Sequence, residues 1–112
     1  MCILFFILLF TCCVMTISAH EYSSADIVNI GKIVHHEAPY ESELGKRLVI
    51  DTILNRVESP SFPNSVTEVI NQPGQYCNPN KFPPKETYHL VAEEIYLRTN
   101  PDVLWYRTKK YH

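Results

Sequence analysis

The sequence predicts a small α+β domain that is mostly helical and has a minor β-sheet. Apolar residues recur at helical spacing in several segments between residues 20 and 100. Proline-rich stretches separate these segments, and one aromatic run, Val103-Leu104-Trp105-Tyr106-Arg107, is typical of a β-strand. The chain has 112 residues, of which 46% are hydrophobic and 20% charged, so its size and composition fit one globular domain.

The composition excludes two classes of function. The formal net charge is −2, which is unlike the basic surface that nucleic-acid binding needs, so we expect no nucleic-acid partner. The chain has only three glycines and contains neither GxGxxG nor GxxxxGK[ST], so we expect no nucleotide cofactor.

Residues 1–19 differ in composition from the rest of the chain. They contain no Asp, Glu, Lys or Arg, and an apolar run ends in small polar residues and Ala19. This pattern predicts a secretory signal peptide or an N-terminal membrane anchor, and either one predicts that residues 20–112 are exported. The exported part then has a single cysteine, Cys77, which cannot form an internal disulfide and more often is inert than nucleophilic.

The first helix is predicted from Ser23 or Ser24 to about Glu37–Ala38. Either serine can cap the helix, and Pro39 disfavours helical geometry in the residue before it. The apolar residues Ile27, Ile30 and Val34 then recur on one face.

Three further helices are predicted along the chain. The second spans Glu43–Val57, with an apolar stripe wide enough for a central, buried helix. The third follows a capping-box pattern at Ser65 and runs to Asn71. The fourth covers Lys85–Thr99 and is closed by Asn100-Pro101.

Glu37 is the candidate catalytic residue. The negative end of a helix dipole disfavours a carboxylate there, and an acid that stays protonated can donate to a glycosidic oxygen. Glycosidases commonly pair such an acid with a second carboxylate, for which Glu41 and Glu43 are the nearby candidates. From the residues alone, a solvated residue at a helix end is the favoured interpretation of Glu37, because most glutamates lie on the surface.

Other polar and aromatic residues give weaker signals. His35 and His36 do not form HExxH, because Tyr40 stands where the second histidine is needed, and we expect no metal site. The turn ending in Gln75 and Tyr76 suits hydrogen bonding and stacking of a sugar, although polar turns are common for solvation alone. On a strand, adjacent aromatics point to opposite faces, so at most one of Trp105 and Tyr106 lines a groove.

Residues 33–76 resemble the cell wall hydrolase family typified by the spore cortex-lytic enzyme SleB. Several blocks occur in the family's order, and a later aromatic run, residues 103–107, resembles the family's aromatic strand. The blocks are Glu37-Ala38, Glu41, Gly45, Leu54-Asn55-Arg56-Val57, Ser61-Phe62-Pro63-Asn64, Val69-Ile70 and Gln72-Pro73-Gly74-Gln75-Tyr76.

The resemblance implies a lysozyme-like or lytic-transglycosylase-like domain that cleaves peptidoglycan glycan strands. The family's essential acid maps onto Glu37, which would protonate the oxygen between N-acetylmuramic acid and N-acetylglucosamine and then assist closure of a 1,6-anhydro ring. We assign Glu41, Gln75, Tyr76 and Tyr106 to substrate binding. The resemblance implies no cofactor. Asn55 and Arg56, on the buried second helix, are expected to hold the catalytic segment.

Alternatives stay open at this point. The chain has Pro39-Tyr40 where the family has Arg-Gly after Glu-Ala. It also stops just after the aromatic run, so the domain at 20–112 is either minimal or incomplete at its C-terminal end. The second hypothesis is a catalytically incompetent peptidoglycan-binding or assembly protein, and a metal-dependent amidase is a distant third. We expect a monomer, of bacterial or phage origin, and the small size favours phage lysis slightly.

Overall fold

The computed structural model describes residues 20–76 and 81–106. They form helices α1 (Ser24–Glu37), α2 (Glu43–Val57), α3 (Val66–Ile70) and α4 (Lys85–Leu97). Among these helices, none combines the length and the hydropathy that crossing a bilayer requires. The predictions for the leader at 1–19, for Cys77 and for Arg107 lie outside the described residues.

The boundaries of α1 are those that its capping residues predict. Ser23 accepts a hydrogen bond from the backbone N–H of Asp26, and the Asp26 carboxylate accepts one from the backbone N–H of Ser23. The helix ends at Glu37, and the N–H of Ala38 still donates to the carbonyl of Val34. This end position sets where the Glu37 side chain leaves the helix.

Serine residues also cap α2 and α3. Ser42 accepts from the N–H of Gly45, and Ser65 accepts from the N–H of Glu68. The bounds of α2 agree with those predicted, and the start of α3 follows the predicted cap. Local hydrogen bonding therefore explains where these helices begin.

Helix α2 is the centre of the hydrophobic core. It packs against α1, α3 and α4, and α1 packs against α3 and α4. The core side chains are small or aliphatic and come from all four helices: Ile30, Ile33, Val34, Ala38, Val49, Ile50, Ile53, Leu54, Val57, Val66, Val69 and Val91. The prediction of a central buried helix is confirmed. The structure adds that its polar residues Asp51, Thr52, Asn55 and Arg56 are buried as well.

The end of α4 differs from the prediction by two residues. The helix stops at Leu97, and Arg98 adopts the left-handed conformation with φ of 44°. This conformation is unfavourable for a residue with a side chain. The Arg98 guanidinium offsets it by donating to Asn55 Oδ1 at 2.8 Å and to both carboxylate oxygens of Glu58. The chain is thereby turned back across α2.

The predicted strand is wrong for residues 103–106. They form no strand, nor does any other part of 20–76 and 81–106, so the minor β-sheet is not seen there. Asn55 Nδ2 donates to the carbonyls of Asn100 and Val103 at 2.7 and 2.8 Å, and Arg56 Nε donates to that of Leu104 at 2.9 Å. Because buried side chains satisfy these carbonyls, the segment needs no neighbouring strand.

Gly31 lies where α1 meets α4. A β-carbon at this position would lie 2.8 Å from Cε1 and 2.9 Å from Cδ1 of Tyr88. We expect Gly31→Ala to lower the free energy of unfolding by about 1–2 kcal/mol, because overpacking outweighs the gain in helix propensity. Urea unfolding followed by circular dichroism measures the difference.

The matched control for this prediction is the same substitution in a Tyr88→Ala background. Without the ring, only the propensity difference remains, and Gly31→Ala should stabilise the protein by about 0.5–1 kcal/mol. An equal loss of stability in both backgrounds would show that contact with Tyr88 is not the cause.

Candidate active site

Glu37 is the last residue of α1 and is half-buried. It lies between exposed His36 and buried Ala38, and Pro39 and Tyr40 then form an exposed turn. The backbone of Ala38 is fixed by its bond to α1 and by burial in the core. The Glu37 carboxyl therefore extends from a rigid helix end and remains accessible to a ligand from solvent.

Two half-buried tyrosines lie close enough to Glu37 for its charge to act on them. Burial raises the pKa of Tyr76 to about 12, with Arg56 opposing the shift and Glu37 adding to it. Burial also raises the pKa of Tyr106, and Tyr76 and Glu37 raise it further. Residues from three separate parts of the chain thus lie within electrostatic range of one another, and both phenols stay neutral hydrogen-bond donors at physiological pH.

Arg56 on α2 joins the segments that carry these tyrosines. Its side chain is almost fully buried, and its Nη1 donates to Gln75 Oε1 at 3.0 Å and to the Tyr76 hydroxyl at 3.2 Å. Nε of the same guanidinium donates to the carbonyl of Leu104, two residues before Tyr106. The sequence analysis expects Arg56 to hold the catalytic segment; its described hydrogen bonds join it to the segments of Gln75, Tyr76 and Leu104, and none joins it to the segment of Glu37.

Aromatic rings surround the same guanidinium. Its carbon lies 4.7 Å from the ring centre of Trp105, 5.1 Å from that of Phe62 and 5.6 Å from that of Tyr76. Each distance is within the range of a cation–π interaction, which helps to compensate the buried charge. The sequence analysis named Phe62 only within a family block and did not assign it to the site, and the signal that could have found it is an arginine on a helix that is predicted to be buried.

The remaining predicted carboxylates lie at the start of α2. Glu41 is half-buried, its N–H donates to the carbonyl of Ala38, and its side chain packs against Gly45. Glu43 is exposed, and its carboxylate lies 2.6 Å from Arg47 in an ion pair. No described contact joins either of them to the tyrosines around Glu37.

Metal binding has no candidate centre in residues 20–76 and 81–106. No three side chains of His, Cys, Asp or Glu in these ranges lie close enough together to hold an ion. His35 is half-buried and His36 is exposed, both in the last turn of α1.

The group around Glu37 suits acid–base chemistry on a polar, neutral substrate. It combines one accessible carboxyl, two neutral phenols and an amide, Gln75, whose oxygen is already engaged by Arg56. A carboxyl can transfer a proton to a bridging oxygen, while phenols and amides orient hydroxyl groups.

Comparison with known proteins identifies relatives in the family that the sequence resembles. A family model described as Cell Wall Hydrolase matches residues 40–111, beginning three residues after Glu37. A spore cortex-lytic enzyme of Bacillus cereus is 46% identical over 52 residues, and one of Halalkalibacterium halodurans is 42% identical over 52 residues. Each alignment covers 46% of this chain, but only 20% and 16% of these enzymes respectively. No solved structure shows a significant match.

Proposed function

Because the chain belongs to the cell wall hydrolase family, we propose that it cleaves peptidoglycan glycan strands between N-acetylmuramic acid and N-acetylglucosamine. The observation that carries this proposal is that Arg56 binds the segments that carry Tyr76 and Tyr106, and that both phenols lie within electrostatic range of Glu37. The relatives are named as lytic enzymes of the spore cortex, and the chain spans about a fifth of their length. The activity of the whole protein is part of the proposal.

In the first step, Glu37 acts as the general acid. Its carboxyl donates a proton to the glycosidic oxygen as the bond from that oxygen to C1 of the muramic residue breaks. The acetamido group of the substrate can stabilise the positive charge that develops at C1, so the step needs no second carboxylate from the protein. The described contacts of Glu41 and Glu43 are with Ala38, Gly45 and Arg47, and this route requires neither of the two acids as a catalytic group.

In the second step, the Glu37 carboxylate acts as the base. It accepts the proton of the muramic 6-hydroxyl, and the hydroxyl oxygen bonds to C1 to close a 1,6-anhydro ring. The proton lost in the first step is thereby regained, no water is consumed and the residue is ready for another cycle. This is the reaction of a lytic transglycosylase, and it uses one side chain for both proton transfers.

The neighbouring residues position the glycan. The phenols of Tyr76 and Tyr106 can donate to sugar hydroxyl or acetamido oxygens, and the exposed amide nitrogen of Gln75 can do the same while its oxygen accepts from Arg56. Glu41, on the rim of the site, can accept hydrogen bonds from sugar hydroxyls. Asn55 and Arg56 fix the segments that carry these groups and do not themselves contact the substrate.

The location of the substrate determines where the protein must act. Peptidoglycan lies outside the cytoplasmic membrane, so the domain at 20–112 acts in the envelope or beyond it, and residues 1–19 direct or anchor it there. We propose that it acts there as a monomer.

Mass spectrometry of the fragments released from purified peptidoglycan tests the function. Muramic ends formed by ring closure are lighter than reducing ends by one water molecule. We expect the full chain to release fragments with anhydro ends. Reducing ends would retain glycan cleavage but make water the acceptor, and would direct attention to Glu41 or Glu43 as a second carboxylate. Binding without release of fragments would favour a non-catalytic peptidoglycan-binding protein.

A further inference from the structure

Trp105 is exposed in a segment whose neighbours are covered. Its exposed fraction is 65%, whereas Val103, Leu104 and Tyr106 are half-buried. Tyr106 packs against the hydrophobic core, so of the two adjacent aromatics it is Trp105 that faces solvent. A large apolar ring left exposed is unfavourable in water and calls for a physical explanation.

The indole of Trp105 is nevertheless held in one orientation. The Arg56 guanidinium lies 4.7 Å from the centre of the ring. Phe62 meets the indole edge to face, with 5.9 Å between ring centres and 61° between ring planes. The preceding carbonyl, that of Leu104, accepts the hydrogen bond from Arg56 Nε. The ring is therefore packed on its protein side and open on the other, and binding on the open side requires little further ordering.

The open face is also close to the candidate active site. Trp105 directly precedes Tyr106, whose phenol is within range of the charge on Glu37. Arg56, which covers the protein side of the indole, also donates to the Tyr76 hydroxyl. A ligand that places a bond at Glu37 and extends along this side of the molecule would meet the indole next.

We propose that the open face of Trp105, bordered by Phe62, stacks against a pyranose ring of the glycan strand. The inference rests on the proposed function and identifies the part of the substrate that is recognised, namely the sugar backbone and not the peptide stem. One face of a pyranose ring presents mainly C–H groups, which pack on an aromatic ring while the hydroxyl groups stay hydrated. The stack then holds the strand in register with Glu37.

The chain contains a single tryptophan, so its fluorescence reports on Trp105 alone. In the Glu37→Gln variant, which binds without cleaving, peptide-free strands of alternating N-acetylglucosamine and N-acetylmuramic acid should shift the emission to shorter wavelength. Because the open face becomes covered, acrylamide quenching should fall by about half. The free stem peptide, at the same concentration, should change neither quantity.

Kinetics with the otherwise native chain give a second readout. Trp105→Ala should raise KM for glycan strands by about tenfold and leave kcat almost unchanged, because stacking of a remote sugar is the same in the bound and transition states. Trp105→Phe keeps an aromatic face and should restore most of the loss. Tyr96→Ala removes another exposed aromatic, on α4, and should leave KM and kcat as in the wild type.

These experiments can overturn the stacking role of Trp105 without overturning the proposed function, and the reverse. Unchanged fluorescence at a strand concentration that saturates binding of Glu37→Gln in a sedimentation assay would overturn the stacking role, whether or not the wild type cleaves. Equal KM for Trp105→Ala and the wild type would overturn it as well. A glycan-dependent shift of the Trp105 emission in a protein that releases no fragments would support stacking on the indole and overturn the catalytic proposal.

Discussion

Glu37→Gln is expected to lower the rate of glycan cleavage by about 10²- to 10⁴-fold while the protein still binds peptidoglycan. The amide is nearly isosteric with the carboxyl but can neither donate an acidic proton nor accept one from the muramic 6-hydroxyl. Because the proposed mechanism uses Glu37 for both transfers, both steps slow together. Release of soluble muropeptides measures the loss, and sedimentation with insoluble peptidoglycan measures the binding that remains.

A matched control separates the role of Glu37 from a general effect of removing a carboxylate. Glu68 lies exposed on α3, so Glu68→Gln changes the net charge equally and should leave cleavage as in the wild type. Glu43→Gln tests the alternative of a second carboxylate, because Glu43 is one of the two candidate acidic partners of Glu37. Cleavage by Glu37→Gln at a rate within tenfold of the wild type would rule out Glu37 as the acid.

The helices could be predicted because local chemistry determines where they begin and end. Ser23 with Asp26, and Ser65 with Glu68, cap α1 and α3 by contacts between residues three apart, which a sequence displays directly. Pro39 likewise places the end of α1 near Glu37. These signals are sufficient to place the candidate acid at a helix terminus before any tertiary contact is known.

The segment around Tyr106 could not be predicted in the same way. Its run of aliphatic and aromatic residues is typical of a strand, yet Asn55 and Arg56, nearly fifty residues earlier, satisfy the carbonyls that a strand would pair. Nothing local to residues 100–106 indicates those partners. The proximity of Tyr76 and Tyr106 depends on the same long-range contacts of Arg56, so residue chemistry and family resemblance suggested each tyrosine but did not show that the two lie near each other.

A second feature that the sequence did not reveal is a buried cluster of charged groups between α2 and α4. Asp51 and Glu94 are both fully buried. Glu94 accepts hydrogen bonds from Arg47 at 2.7 Å and from the N–H and hydroxyl of Thr99 at 2.7 and 2.9 Å. Oδ2 of Asp51 accepts from the N–H and amide of Asn100 at 2.8 and 3.0 Å. The cluster thus fixes the turn that leads from α4 to the Tyr106 segment.

The two acids have opposite pKa shifts. Burial raises the pKa of Asp51, and its hydrogen bond with Glu94 raises it further, against the opposing effect of the Asn100 donors. Burial acts in the same direction on Glu94, but the hydrogen bonds from Asp51, Thr99 and Arg47 outweigh it and lower the pKa of Glu94. We therefore expect Asp51 to be the acid that keeps its proton, on Oδ1, which makes no other hydrogen bond in the described residues, and to donate it towards Glu94.

Glu94→Ala should lower the free energy of unfolding by about 3–5 kcal/mol, because it leaves Arg47, the Thr99 N–H and the Asp51 carboxyl without their buried acceptor. For a domain of this size such a loss is a large part of the total stability. Urea unfolding at neutral pH measures it. Asp51→Asn is the matched control: its amide can still accept from Asn100 and donate to Glu94, so we expect a loss below about 1 kcal/mol. Similar losses for the two variants would contradict the assignment of the proton to Asp51.

The same pair predicts how stability depends on pH. An acid whose pKa is raised on folding binds more protons in the folded than in the unfolded state, so the Asp51 contribution falls as pH rises above about 4, the ordinary value of an aspartate. The lowered pKa of Glu94 has the opposite effect, and its contribution is lost as pH falls below about 4.5. The contribution of this pair to the stability of the wild type should therefore be greatest near pH 4–5. In Asp51→Asn the decline on the alkaline side should disappear, because an amide has no proton to lose, whereas the acid side should remain. An unchanged alkaline decline in that variant would assign the titration to a different group.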